Sequence, residues 1–231
     1  MELQQKLELV FDADAVLRGQ GADAAIIRTR RPGLVKIAED AMQESLPLLH
    51  PRVVYQEYAV EGVKHERLLL EGGQQIQSRL VAQQLARASH VIVILATIGA
   101  ELEKRSSEVW DTNMVYALAL DGAGSAAVEA LANAACLYFE TQAALDGLQA
   151  SIPLSPGMVD WPVPEGQPQI FDLLAEAGSV VQLTPSYLMV PQKSLTMIIG
   201  TGVEMKSTGR TCDFCTMRET CRYQDHYLAS H

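Results

Sequence analysis

The sequence predicts an α+β fold. Three observations carry it. Residues 90–99, HVIVILATIG, form a nearly continuous apolar, β-branched run, the mark of a central strand buried on both faces. RVVYQEYAV (52–60) and HERLLLEG (65–72) alternate like the arms of a hairpin. Residues 112–146 are rich in alanine and read as helix. Strands and helices mix without a strict βαβ rhythm, so the sheet is expected to be antiparallel or mixed.

Taken in order, KLELVFD (6–12) is a short strand candidate. Asp12 or Asp14 can cap a brief helix through Leu17, which GQGAD breaks. Over residues 32–49, Leu34, Ile37, Ala38, Ala41 and Leu48 fall near helical spacing. Pro32 suits the first turn and Pro47 the end. The hairpin turn is placed at Glu61-Gly62. Ile76, Leu80, Leu85 and Ala88 define the next helix. Gly99 stops the central strand, and ELEKRSSEVW opens another helix. The alanine-rich stretch reads as two helices broken near Asp121-Gly122-Ala123-Gly124, where small residues let another backbone approach. GQPQIFDLL is amphipathic helix, and LTMIIG (195–200) is a strand.

Size and composition narrow the function. The 231 residues suit one large domain, or one domain with an appendage, and 48% apolar residues fill a core. A net charge of −10 repels phosphate backbones, so nucleic acid is not an expected partner. No run of about 18 apolar residues marks a membrane span. The start, MELQQKLELVFDADAV, lacks a signal-peptide pattern, which makes the cytoplasm the expected compartment.

Two proline-studded loops stand out. Pro153, Pro156, Pro162, Pro164 and Pro168 restrict the first, and Gly157 after Pro156 suits a type II turn. Trp161 lies between these elbows, as ligand-facing group or as core filler. The second loop, LTPSYLMVPQKS, carries Thr184, Ser186, Tyr187, Lys193 and Ser194, with Pro185 and Pro191 bracketing most of them. Rigid loops of this kind hold binding groups in place or brace a sheet.

SPGMVDWPVPEGQPQIFDLL followed by LTPSYLMVPQKSLTMIIGTG resembles the activation domain of vitamin B12-dependent methionine synthase, in its free-standing bacterial form. ATIGAELE and ALDGAGSAAVEALANA are similar to that family's central strand-helix and long helix. The resemblance covers about residues 50–205. It implies a C-shaped fold around a twisted sheet, with S-adenosylmethionine in a shallow groove and docking to a cobalamin carrier. Oxidised Co(II) returns there to Co(I) and is methylated. Ser155, Pro156, Gly157, Met158, Trp161, Pro162, Ser186, Tyr187, Met189, Pro191 and Ser194 are the implied groove residues. The chain departs from the pattern at three of the family's positions: Pro153 stands for a carboxylate-binding arginine, Met158 for a tyrosine and Pro185 for a glutamate.

Residues 206–231 form a separate cysteine-rich tail after a domain of residues 1–205. TCDFCTMRETCRYQDH places Cys212, Cys215 and Cys221 as Cys-x2-Cys-x5-Cys. That spacing can grip a zinc ion or an edge of an iron–sulfur cluster, or the three can be bare thiols or a disulfide on a C-terminal segment. His226, Cys136 or a partner's residue are candidates for a fourth ligand, and Arg210, Arg218 and Arg222 surround the thiols. Besides a structural protein whose tail binds zinc, two functions follow. One is a reactivation accessory, partnered by a corrinoid-binding protein or methyltransferase. The other is a non-catalytic corrinoid-protein or small-molecule binding module with a structural metal in its tail.

Overall fold

The computed structural model describes residues 1–205 and 210–221. Its centre is a six-stranded, wholly antiparallel sheet, curled into a half-barrel and flanked by helices. The strands are β1 (Arg52–Lys64), β2 (Arg67–Leu70), β3 (Gln75–Gln77), β4 (His90–Thr97), β5 (Gln149–Ala150) and β8 (Ser194–Gly202). Their order is β3-β2-β1-β4-β8-β5. A two-stranded ribbon, β6 (Gln182–Leu183) with β7 (Met189–Val190), stands apart. The helices are α1 (Ala13–Gly19), α2 (Ala24–Arg30), α3 (Pro32–Ser45), α4 (Arg79–Gln84), α5 (Glu101–Val109), α6 (Met114–Leu145) and α7 (Val163–Leu173).

The sheet separates two cores. On β4, Ile92, Ile94 and Ala96 face one side, where they pack with Val53, Met197, Ile199 and helices α1, α3 and α6. Val91, Val93 and Leu95 face the other, against α4, α7 and the first proline loop through Leu80, Ile170, Leu154 and Trp161. A strand covered on both faces must be apolar at every position, which explains the continuous run in 90–99.

Local chemistry sets most boundaries. The Asp12 carboxylate accepts from the Ala15 amide at 2.8 Å and starts α1. Pro32 occupies the first turn of α3, and a short 3₁₀ turn at Leu46–Leu48, containing Pro47, ends it. Gly99 leaves β4 at φ +80°.

Several expectations are corrected. Glu61-Gly62 is a bulge rather than the hairpin turn: β1 runs on to Lys64, and the chain reverses at His65, whose φ is +58°. Ile76 lies in β3, and the helix begins after Ser78, whose hydroxyl accepts from the Val81 amide at 3.2 Å. Residues 6–12 form no ladder; Leu7, Leu9 and Phe11 lie half-buried against the helical side of the core. The pairing near the N-terminus falls earlier, where the Leu3 amide donates to Val53 O at 2.8 Å.

The expected break in the alanine-rich segment is absent, and α6 runs unbroken for 32 residues. Its glycines serve packing instead. A Cβ on Gly122 would stand 2.5 Å from Val16 O and 2.7 Å from Gln20 Cγ, so α1 crosses α6 at backbone contact. By length and composition α6 could cross a membrane (mean hydropathy 1.3), yet 56% of that window is buried in the fold. It is the core helix of the α-helical face.

Candidate functional site

The first loop leaves the outer edge of β8. Leu154 exchanges two backbone hydrogen bonds with Ile198, at 2.9 and 2.8 Å. The chain then closes on itself: Gly157 N–H donates to Trp161 O at 2.7 Å, and Met158 N–H to Ser155 O at 3.2 Å. Gly157 sits at φ +101°, a conformation that costs side-chain-bearing residues about 1–2 kcal/mol. Pro162, at φ −66° and ψ 150°, leads into α7. A Cβ on Gly166 would stand 2.8 Å from both Pro156 Cβ and Trp161 Nε1, so α7 lies directly on the loop. The Ser78 hydroxyl donates to Asp160 O at 3.1 Å and ties the loop to the start of α4.

The second loop is the tip of the β6–β7 ribbon. Thr184 organises it: its carbonyl accepts from Tyr187 N–H at 2.9 Å and its Oγ1 from Leu188 N–H at 3.0 Å. Thr184 Oγ1 and Ser186 Oγ stand 3.1 Å apart. These bonds hold Tyr187, an exposed residue, at φ +64°. Farther on, Lys193 Nζ pairs with Asp121 at 2.8 Å and donates to Ser125 Oγ at 3.0 Å. Its stem lies against Gly124 of α6.

The eleven groove residues divide by environment. Trp161 is wholly buried, and its Nε1 has no hydrogen-bond partner. Met158 and Ser194 are also buried; the Ser194 hydroxyl lies 2.7 Å from Pro191 O and 2.8 Å from Thr97 Oγ1. These three brace the sheet. Ser155, Pro156, Gly157, Met189 and Pro191 are half-buried, while Pro162, Ser186 and Tyr187 are exposed. Of these, the polar side chains open to a ligand are the Ser186 hydroxyl and the Tyr187 phenol. Pro153 offers no cation for a carboxylate, and Lys193 is committed to Asp121.

Two surface clefts are present, the first bordering the end of the second loop at Gln192. One, of about 530 Å³, is lined by Glu103, Trp110, Asp111, Leu118, Asp121 and Gln192 among others. The second, of about 330 Å³, lies between Gly73–Gln77 and α7. Neither takes a wall from the Ser155–Pro162 turn or from Ser186.

The tail packs onto the first loop. Val159 N–H donates to Phe214 O at 2.9 Å, and Thr216 Oγ1 to Gly157 O at 2.9 Å. Met158 and Cys215 face each other as an antiparallel bridge, and Phe214 joins the core beside Met158 and Trp161. Nothing in the short, polar 210–221 stretch signals this contact in advance. Among the described residues, no three His, Cys, Asp or Glu side chains gather closely enough to hold a metal ion. Cys136 cannot supply a ligand to the tail, because it lies on the opposite face of the sheet, 3.3 Å from Met197 Sδ. Burial pushes its thiol up to about 12. His226 and Arg222 lie outside the described residues.

Among families and curated proteins, none matches this chain. Among solved structures, the chain is similar to a crystal structure of the MetH reactivation domain bound to AdoHcy. The TM-score is 0.61 and the identity 15%, over 80% of this chain and 69% of that one. The likeness is one of fold: the curled antiparallel sheet and its flanking helices.

Proposed function

We propose that this chain is a reactivation accessory in corrinoid-dependent methyl transfer. It takes an S-adenosylmethionine-type ligand beside the two proline loops and docks to a corrinoid-bearing protein, supporting the return of Co(II) to Co(I). The observation that carries this reading is the fold match over 80% of the chain to a domain solved with AdoHcy bound. The exposed Ser186 hydroxyl and Tyr187 phenol are suited to a nucleoside. S-adenosylmethionine, when bound, supplies the methyl group; the residues of this chain hold and orient it.

The fit is incomplete at one end. Proline, which carries no charge, stands at position 153, where the resemblance puts a carboxylate-binding arginine. That gap favours a second reading, a corrinoid-protein binding module that has lost the methyl donor. One titration separates the two. Calorimetry with S-adenosylhomocysteine is expected to show weak saturable binding to the native chain. Pro153→Arg is expected to tighten it about 10- to 100-fold, as a charge-assisted bidentate pair does. Absence of saturable heat in both proteins would discard the ligand site and leave the module.

A further inference from the structure

The cysteine segment is left unused by the proposed function, yet it lies on the proposed site. Cys215 N–H donates to Cys212 O at 3.3 Å, closing a turn of four residues. Such turns hold their first and last Cα atoms within about 7 Å, the range a disulfide can bridge. Cys212 and Cys215 are both half-buried, neither is bridged, and solvent reaches them. Asp213 fixes the turn on its far side: its carboxylate accepts from Arg210 N–H at 2.8 Å and pairs with Arg218 at 3.0 Å. The near side, Phe214 to Thr216, is hydrogen-bonded across the Gly157 turn at both Gly157 O and Val159 N–H.

We propose that Cys212 and Cys215 are a redox-modification site, a dithiol whose closure to a disulfide locks Phe214–Thr216 as a strap over the Gly157 turn. In the closure two S–H bonds break and one S–S bond forms. Two protons and two electrons pass to a small-molecule disulfide, which leaves as two thiols. Reduced, the strap is held by two hydrogen bonds and the Phe214 ring, and it opens as a local unit. Oxidised, the short loop is cross-linked, so the undocked strap has less freedom to gain. The docked strap occupies Gly157 O and Val159 N–H. Its effect on ligand binding rests on the proposed function; its formation does not.

The test uses the full chain carrying Cys221→Ser, equilibrated with reduced and oxidised glutathione. Peptide mass mapping reads the bridge, and amide hydrogen exchange at Val159 reads the strap. The expected result is a Cys212–Cys215 disulfide and exchange at Val159 slowed about tenfold, both lost in Cys212→Ser. Separate glutathione adducts on the two thiols would overturn the proposal. So would unchanged exchange at Val159, or a zinc or iron equivalent released from the purified native chain by thiol alkylation. A parallel titration with S-adenosylhomocysteine is expected to bind the reduced form more tightly. If neither form binds while the bridge forms and Val159 slows, the dithiol stands and the proposed ligand falls.

Discussion

Glu129 is half-buried on α6 with no hydrogen-bond or ion-pair partner among the described residues. Burial raises its pKa from 4.5 to about 7. An acid raised on folding keeps its proton in the native chain after the unfolded chain has released it. Stability therefore falls as pH rises from about 4.5, and the full penalty is present above about 7, roughly 1–3 kcal/mol. Glu129→Gln is expected to stabilise the chain by that amount at pH 8 and to change little at pH 5, in denaturant titrations at the two values. Equal effects at both would show that desolvation of the carboxylate is not the cause.

At the scale of elements, α6 shows packing overruling propensity. A helical glycine costs about 1 kcal/mol relative to alanine, so Gly122→Ala should help an isolated helix. Here the new Cβ meets Val16 O and Gln20 Cγ, and forcing α1 away costs about 1–3 kcal/mol. With a Cβ within 2.7 Å of two atoms the contact term is the larger, so Gly122→Ala is expected to lower stability by up to about 2 kcal/mol net, measured by thermal and urea unfolding. An increase would mean α1 does not pack at backbone distance.

The same contest explains what was legible. The central strand was plain, because burial on both faces leaves only apolar choices for Val91–Ala96. Capping is local, so the sequence narrows the start of α1 to Asp12 or Asp14, and only the structure selects Asp12. The break in α6 was misread: Gly122 is indistinguishable, without tertiary contacts, from a helix breaker. The hairpin turn was misplaced because Gly62, at φ +146°, marks a bulge as well as it marks a turn. At the site, rigid proline turns could be read, but not which side they present. Trp161 turned inward because Gly166 of α7 leaves its ring a place. The strap across Gly157 depends on contacts between residues more than fifty positions apart, and no local pattern encodes them.

On the scale of the whole molecule, one sheet carries two cores with different tasks. The α1–α3–α6 side is a helical buttress, closed by backbone contact at Gly19 and Gly122. The α4–α7 side holds the first proline loop, and that loop in turn receives the tail. The account is tested most directly by complementation in trans. A vitamin B12-dependent methionine synthase lacking its own reactivation domain is held as cob(II)alamin with a reductant and S-adenosylmethionine. Its absorbance is then followed as this chain is added. The account predicts a dose-dependent return to the methylcobalamin spectrum. An unchanged cob(II)alamin spectrum at every concentration of the chain would contradict it.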